Sequence, residues 1–125
     1  MELIKHVNAY MALNTLLKEK YTYKDAYAIV KLKNALKENF EFFRDKEREI
    51  VSRTSKKNSV KGTYFEFADV KAKEEYEKEM IDLSILDVEA IEKITLSPPE
   101  RITPEVLEAL ADFVIFKEVN DEGAS

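Results

Sequence analysis

The chain has 125 residues, 45% of them hydrophobic and 36% charged, with a net charge of −5, two glycines, three prolines and no cysteine. That length suits one domain with a modest core. The missing cysteine excludes a disulfide framework and a thiolate zinc site, and the high charge with ordinary apolar content points to exposed, ion-paired helices instead of disorder.

The scarcity of glycine and proline predicts long regular elements and few turns. A first helix is expected over about Leu3 to Lys20, with Leu3, Val7, Tyr10, Asn14 and Leu17 as its stripe, widened by Met11 and Leu13. Its start has a short strand as the alternative, because Leu3 and Ile4 precede any clear cap. Thr22 and Asp25 then form a T-x-x-D capping box, in which the hydroxyl accepts from the Asp25 amide and the carboxylate reaches back. Tyr21 and Ala26 occupy the positions of a hydrophobic staple.

No glycine or proline interrupts the chain from Tyr23 to Arg53. A helix of that length is about 46 Å long, so part of it should project or pair with another helix. Ile29, Leu36, Phe40, Phe43 and Ile50 form its seam, largely on a seven-residue, coiled-coil-like spacing; Lys33 and Glu47 interrupt it, and Ala26, Val30 and Val51 broaden it. Glu49→Arg53 and Lys37→Glu41 are expected helix pairs worth about 0.2–0.5 kcal/mol each, so packing must hold the helix.

Residues 54–62 read as a polar, basic turn, and Thr63–Phe67 as a strand with Phe65 and Phe67 inward and Glu66 outward. A third helix is expected over about Val70 to Leu83, capped by Asp69, with Tyr76, Met80 and Leu83 as its stripe and Glu74→Lys78 in support. Residues 85–97 read as one or two short strands (Val88/Ala90 and Ile94/Leu96), with a short helix as the alternative. Pro98-Pro99 ends whatever precedes it. Thr103-Pro104-Glu105 opens a last helix burying Leu107, Leu110, Ala111 and Val114. The resulting fold class is α+β, mostly α: a long helical hairpin with two or three short strands and a short C-terminal helix, in a single domain over residues 1–116 followed by a flexible tail over 117–125.

The chemistry is sparse. One histidine, His6, and no cysteine remove most nucleophile–base constellations, and His6 reads as a partly exposed helix residue with no second metal ligand in view. The two glycines, Gly62 and Gly123, sit in a turn and a tail and build no phosphate cradle. Paired carboxylates on the helices read as solvated faces, because none lies in an apolar run that would raise its pKa. The expectation is a protein that is not an enzyme and needs no cofactor or metal. No apolar stretch approaches the roughly 20 residues of a membrane helix. Met1–Lys5 shows no basic segment followed by a long apolar run, so no secretion signal and a cytoplasmic location are expected.

The charge is unevenly spread. Residues 24–61 carry 11 basic and 6 acidic side chains, whereas 62–125 carry 6 basic and 17 acidic. An acidic body next to a basic arm can meet a basic partner or a second copy. Two candidate surfaces follow. Phe42 and Arg44, with the acids Glu74, Glu75, Glu79 and Asp82, are candidate protein-partner contacts, since an exposed aromatic beside arginine is typical of interface anchors. Arg53, Lys56, Lys57 and Lys61 form a basic tip that would touch nucleic acid if any part of the chain does, although the acidic balance makes nucleic acid the weaker expectation.

The arrangement resembles small uncharacterised proteins encoded by bacteriophages and prophages. The parts that carry the likeness are Asn8 and Leu13-Asn14, Tyr23-Lys24-Asp25-Ala26-Tyr27 opening the long charged helix, Gly62–Phe65, Glu79–Leu83, the Ile94/Leu96 segment, and Ile102-Thr103-Pro104 opening the final helix. The resemblance implies a phage-like setting in a host cytoplasm and transfers no functional residue. The function expected is non-catalytic protein binding, as an acidic inhibitor of a host or defence protein. The alternatives are an assembly accessory or chaperone that self-associates through the long helix, and a nucleic-acid-binding accessory protein acting through the basic tip.

Overall fold

The computed structural model describes residues 1–117. Four helices, α1 (Leu3–Leu16), α2 (Tyr23–Thr54), α3 (Val70–Ser84) and α4 (Pro104–Leu110), accompany strands β1 (Ile94–Leu96) and β2 (Val114–Phe116). The fold is α+β and mostly α, as the periodicities predict. None of these helices is long and apolar enough to cross a membrane.

α1 ends earlier than expected. After Leu16 the bonds tighten to the i−3 pattern, with Lys18 N–H to Thr15 O and Glu19 N–H to Leu16 O. Its buried face is Leu3, His6, Val7, Ala9, Ala12, Leu13 and Leu16. Asn14 is exposed and Leu17 is 44% exposed. The expected stripe is therefore rotated: Ala9 and Ala12 are small enough for α2 and α4 to approach closely, and that contact sets the buried face. His6, expected to be partly exposed, is 1% exposed.

α2 starts as its cap predicts, with Thr22 Oγ1 accepting from Asp25 N–H at 3.2 Å. The reciprocal half of the box is absent. The buried Asp25 carboxylate instead accepts from Ser97 N–H at 3.1 Å, tying the helix start to the end of β1. The helix runs 32 residues, about 48 Å. Ile29, Leu36, Phe43 and Ile50 are all buried, so the seam is used inside the chain. The helix stops where Thr54 Oγ1 donates to Ile50 O at 2.7 Å and Ser55 turns extended.

The expected strand over Thr63–Phe67 does not form as a strand. Two isolated bridges, Ser55↔Phe67 and Lys61↔Tyr64, stand in its place. A segment with no second neighbour has too few ladder partners to hold a strand. Lys61 and Tyr64 exchange two backbone bonds around Gly62-Thr63. Gly62 has φ +62° while Thr63 keeps a negative φ, the signature of a type II′ turn with glycine first. Ser59 Oγ donates to Lys56 O at 2.6 Å and accepts from Glu66 N–H at 3.2 Å, clamping the two limbs of the loop. Phe65, Phe67 and Tyr76 pack beneath it, with ring centroids 5.1–5.6 Å apart.

α3 is capped by Asp69, whose Oδ1 accepts from Ala72 N–H at 2.7 Å. It returns along the second half of α2. Residues 86–88 then stitch to the chain start through Leu3 N–H to Leu86 O, Val88 N–H to Met1 O, and the N-terminal ammonium to Asp87 at 2.8 Å. The strand expected at Val88/Ala90 is reduced to this edge, while Ile94–Leu96 does form one.

β1 pairs in parallel with β2, Ile94 opposite Val114 and Leu96 opposite Phe116. Thr103 caps α4 by accepting from Val106 N–H at 3.2 Å. That helix ends at Leu110, so the assignment of Ala111 and Val114 to its buried side is corrected. Val114, Ile115 and Phe116 are strong strand formers and β1 offers them a ladder. Of the expected buried set, Leu110 and Val114 are buried, while Leu107 is 46% exposed. Lys117, expected in the tail, donates its N–H to Leu96 O at 2.8 Å. Residues 118–125 of that tail lie outside the described residues.

The main core joins Ala9, Leu13 and Leu16 of α1, Ile29 and Leu36 of α2, and Leu96, Leu110 and Phe113. A smaller cluster of Leu3, Val7 and Phe43 reaches Met80 and Leu83 of α3. Beyond Phe43, α2 and α3 form a two-helix arm ending in the 55–69 tip.

Candidate functional site

The buried histidine is an obvious place to look for chemistry. Asn39 Nδ2 donates to His6 Nδ1 at 3.0 Å, and Phe113 meets the imidazole edge-on with centroids 5.4 Å apart. Nε2 is buried without a hydrogen bond of good geometry among the described residues. Burial first, then the positive N-terminus, push the ring below its ordinary value of 6.5, while the Glu89 backbone pulls the other way. A neutral imidazole enclosed by packing has no route to a substrate. Among the described residues, no three His, Asp or Glu side chains converge as a metal cage.

The surface of the arm carries more. None of the 15 residues of α3 is buried. Its inward stripe, Tyr76, Met80 and Leu83, is only half-buried against α2, and the opposite stripe places Val70, Glu74, Ile81 and Ile85 in solvent. Ile81 is 60% exposed and Ile85 52%. On the other side of α3, Phe42, Asp82, Leu83 and Leu86 line a shallow groove of about 310 Å³ between α2 and α3. Phe42 is 42% exposed and Leu86 44%.

The predicted partner residues divide over this frame. Phe42 and Asp82 line the same groove, with Lys46 Nζ 5.7 Å from the Phe42 ring centroid. Arg44 is not part of it. Two residues on, it lies on the other side of α2, over the Phe40 ring at 5.2 Å and paired with Glu47 at 2.8 Å. Glu75 and Glu79 are engaged within the chain: Arg53 reaches Glu79 at 2.7 Å and Glu75 at 3.7 Å. That guanidinium holds the Glu79 carboxyl below the usual carboxylate range and is itself raised by it. Glu74 is exposed and forms no ion pair among the described residues.

The predicted basic tip is also redistributed. Arg53, bound to α3, faces away from the tip. Lys61 is held by its backbone at the II′ turn. Lys56 and Lys57 border a wide groove of about 1030 Å³, joined there by Arg44 and Arg48 of α2. The sequence reading missed Arg48, Ile81, Ile85 and Leu86. The spacing of Ile81 and Ile85 outside the Tyr76/Met80/Leu83 stripe was a readable signal. It also passed over Tyr23 and Tyr27, 98% and 69% exposed at the start of α2.

Comparison of the chain with protein-family models, with curated proteins and with solved structures finds no match.

Proposed function

We propose that this chain is a non-catalytic protein-binding protein, of the phage-encoded kind its sequence resembles, and that it binds through the base of the arm. The observation that carries the reading is α3, a helix with no buried residue: Ile81 and the C-cap Ile85 are in solvent on its outer stripe, and Phe42 and Leu86 are exposed at the groove on its inner side. Exposed apolar side chains among charges favour association, because covering them releases about 25 cal/mol per Å². At the rim Lys46 and Arg53 pair with Glu49 and Glu79, so Asp82 in the groove and Glu74 on the outer stripe of α3 are the acids left unpaired among the described residues. A basic surface on a host or defence protein fits that rim, and an inhibitor occupying such a surface is the simplest mechanism.

Assembly through pairing of the long helix has less support, since its seam is already covered within the chain. The test is co-purification of host proteins with the wild-type chain and with an Ile81→Asp/Ile85→Asp variant. A stoichiometric partner held by the first and lost by the second supports the reading. A partner retained equally by both places the contact elsewhere, and light scattering that shows stable dimers would favour assembly.

A further inference from the structure

The wide groove at the far end of the arm has a composition that the protein-binding reading does not use. Its α2 wall carries Arg44 and Arg48 one turn apart, continued by Ser52 and Ser55 on the same stripe. Its loop wall carries Lys56 and Lys57. Four cations thus face one lining carboxylate, Glu47. The donors from Arg44 to Ser55 extend over about 16 Å of helix, long enough for successive anionic groups and too long for one.

Arg44 is held by Glu47 at 2.8 Å and exchanges that carboxylate for a phosphate on binding, whereas the other three cations are more loosely engaged. Arg48 pairs with Asp45 at 3.1 Å and Lys56 with Glu66 at 4.0 Å, both with side chains more than half exposed. Exposed pairs of this kind contribute about 0–1 kcal/mol, so a phosphate replaces the carboxylate at little cost. Lys57 forms no ion pair among the described residues. Phe65 and Tyr76 supply the aromatic part of the wall. The loop is shaped by two left-handed residues, Asn58 with φ 64° and Gly62 with φ 62°.

We propose that this groove binds single-stranded nucleic acid, with Arg44, Arg48, Lys56 and Lys57 on the phosphates and the aromatic side chains against the bases. A basic groove with aromatic side chains is the arrangement that holds single strands without sequence preference. A duplex fits less well, because its bases are not free to meet Phe65 or Tyr76. An acidic peptide would satisfy the arginines but leave the aromatic wall unused. The acidic remainder of the chain repels polyanions at long range, so binding depends on these local contacts and on salt.

The experiment is fluorescence anisotropy of a labelled oligo(dT) against the full chain. Saturable binding that weakens about 50-fold between 50 and 200 mM salt is expected for four phosphate contacts at the single-strand slope. Arg48→Glu/Lys57→Glu, two exposed positions away from the core, should abolish saturation with an unchanged circular dichroism spectrum. An abasic strand of equal length should bind at least 10-fold more weakly, and polyglutamate of equal charge should not displace the oligonucleotide. Absent saturation at 50 mM salt, or full retention by the charge-reversed variant, would overturn the site. Equal binding of the abasic strand, or equal displacement by polyglutamate, would overturn its assignment to nucleic acid in favour of a general polyanion or acidic-peptide groove.

Discussion

The two halves of α2 are one continuous helix in two different environments. The N-terminal half buries Ile29, Leu32 and Leu36 among α1, β1 and α4, where Leu96, Leu110 and Phe113 are completely covered. The C-terminal half buries Phe43, Ile50 and Thr54, and the helix beside it buries nothing. A helix pair has one shared face and no second layer, so it covers few side chains: Ile50 and Thr54 on α2, and none on α3. The body therefore supplies the stability, and the arm supplies the exposed surface and the groove.

The largest effect should come from the body. Leu36→Ala should cost about 3 kcal/mol, within the usual range for a fully buried leucine, read as a lower urea midpoint for the whole chain. Tyr76→Ala on the arm should cost about 1 kcal/mol and act locally: faster amide exchange in the tip and the first turns of α3, with the protection of α1 unchanged. Equal global losses for the two variants would mean that body and arm unfold as one unit.

A pH experiment sharpens the same contrast. His6 is held neutral in the fold below its ordinary value of 6.5, so the unfolded chain takes up a proton that the folded chain resists. Stability should be full above about pH 6.5 and decline as the pH falls below it. The loss should be read in the body and removed by His6→Gln, provided that variant folds at neutral pH. A slope between pH 7 and 5.5 that survives the substitution would assign the titration elsewhere. Glu79, depressed by Arg53, acts lower: its contribution is present above the ordinary carboxylate range and lost as the pH falls through its own lowered value. Arg53→Met should therefore raise amide exchange in α3 at neutral pH and have little effect at low pH, where Glu79 is protonated.

The smallest effect is expected at the turn. Gly62→Ala meets no neighbouring atom, so any loss comes from the positive φ alone, about 1 kcal/mol. It should alter oligonucleotide binding at the tip more than it alters the urea midpoint.

Much of this architecture was legible in local sequence. Thr22, Asp69 and Thr103 each cap the helix they were assigned to, because a hydroxyl or carboxylate at that position meets an amide within its own turn. The span of α2 followed from the absence of any breaker, and its buried seam from spacing. What failed depended on neighbours far along the chain. The sequence could not show that Asp25 would turn to Ser97, that Ala9 and Ala12 would rotate the buried face of α1 and enclose His6, or that Val114 would leave a helix to pair with Ile94. The sites divide in the same way. Exposed Phe42 and the lysines at positions 56 and 57 were found from local pattern. The separation of Phe42 from Arg44 was also readable, since residues two apart do not share a helix face, whereas the capture of Arg53 by Glu79 and the meeting of Arg48 with Lys57 across the tip groove were decided by the return of α3 along α2. Short-range hydrogen bonds and periodicity are written in adjacent residues, whereas partner choice among exposed charges depends on which helices the tertiary fold brings side by side.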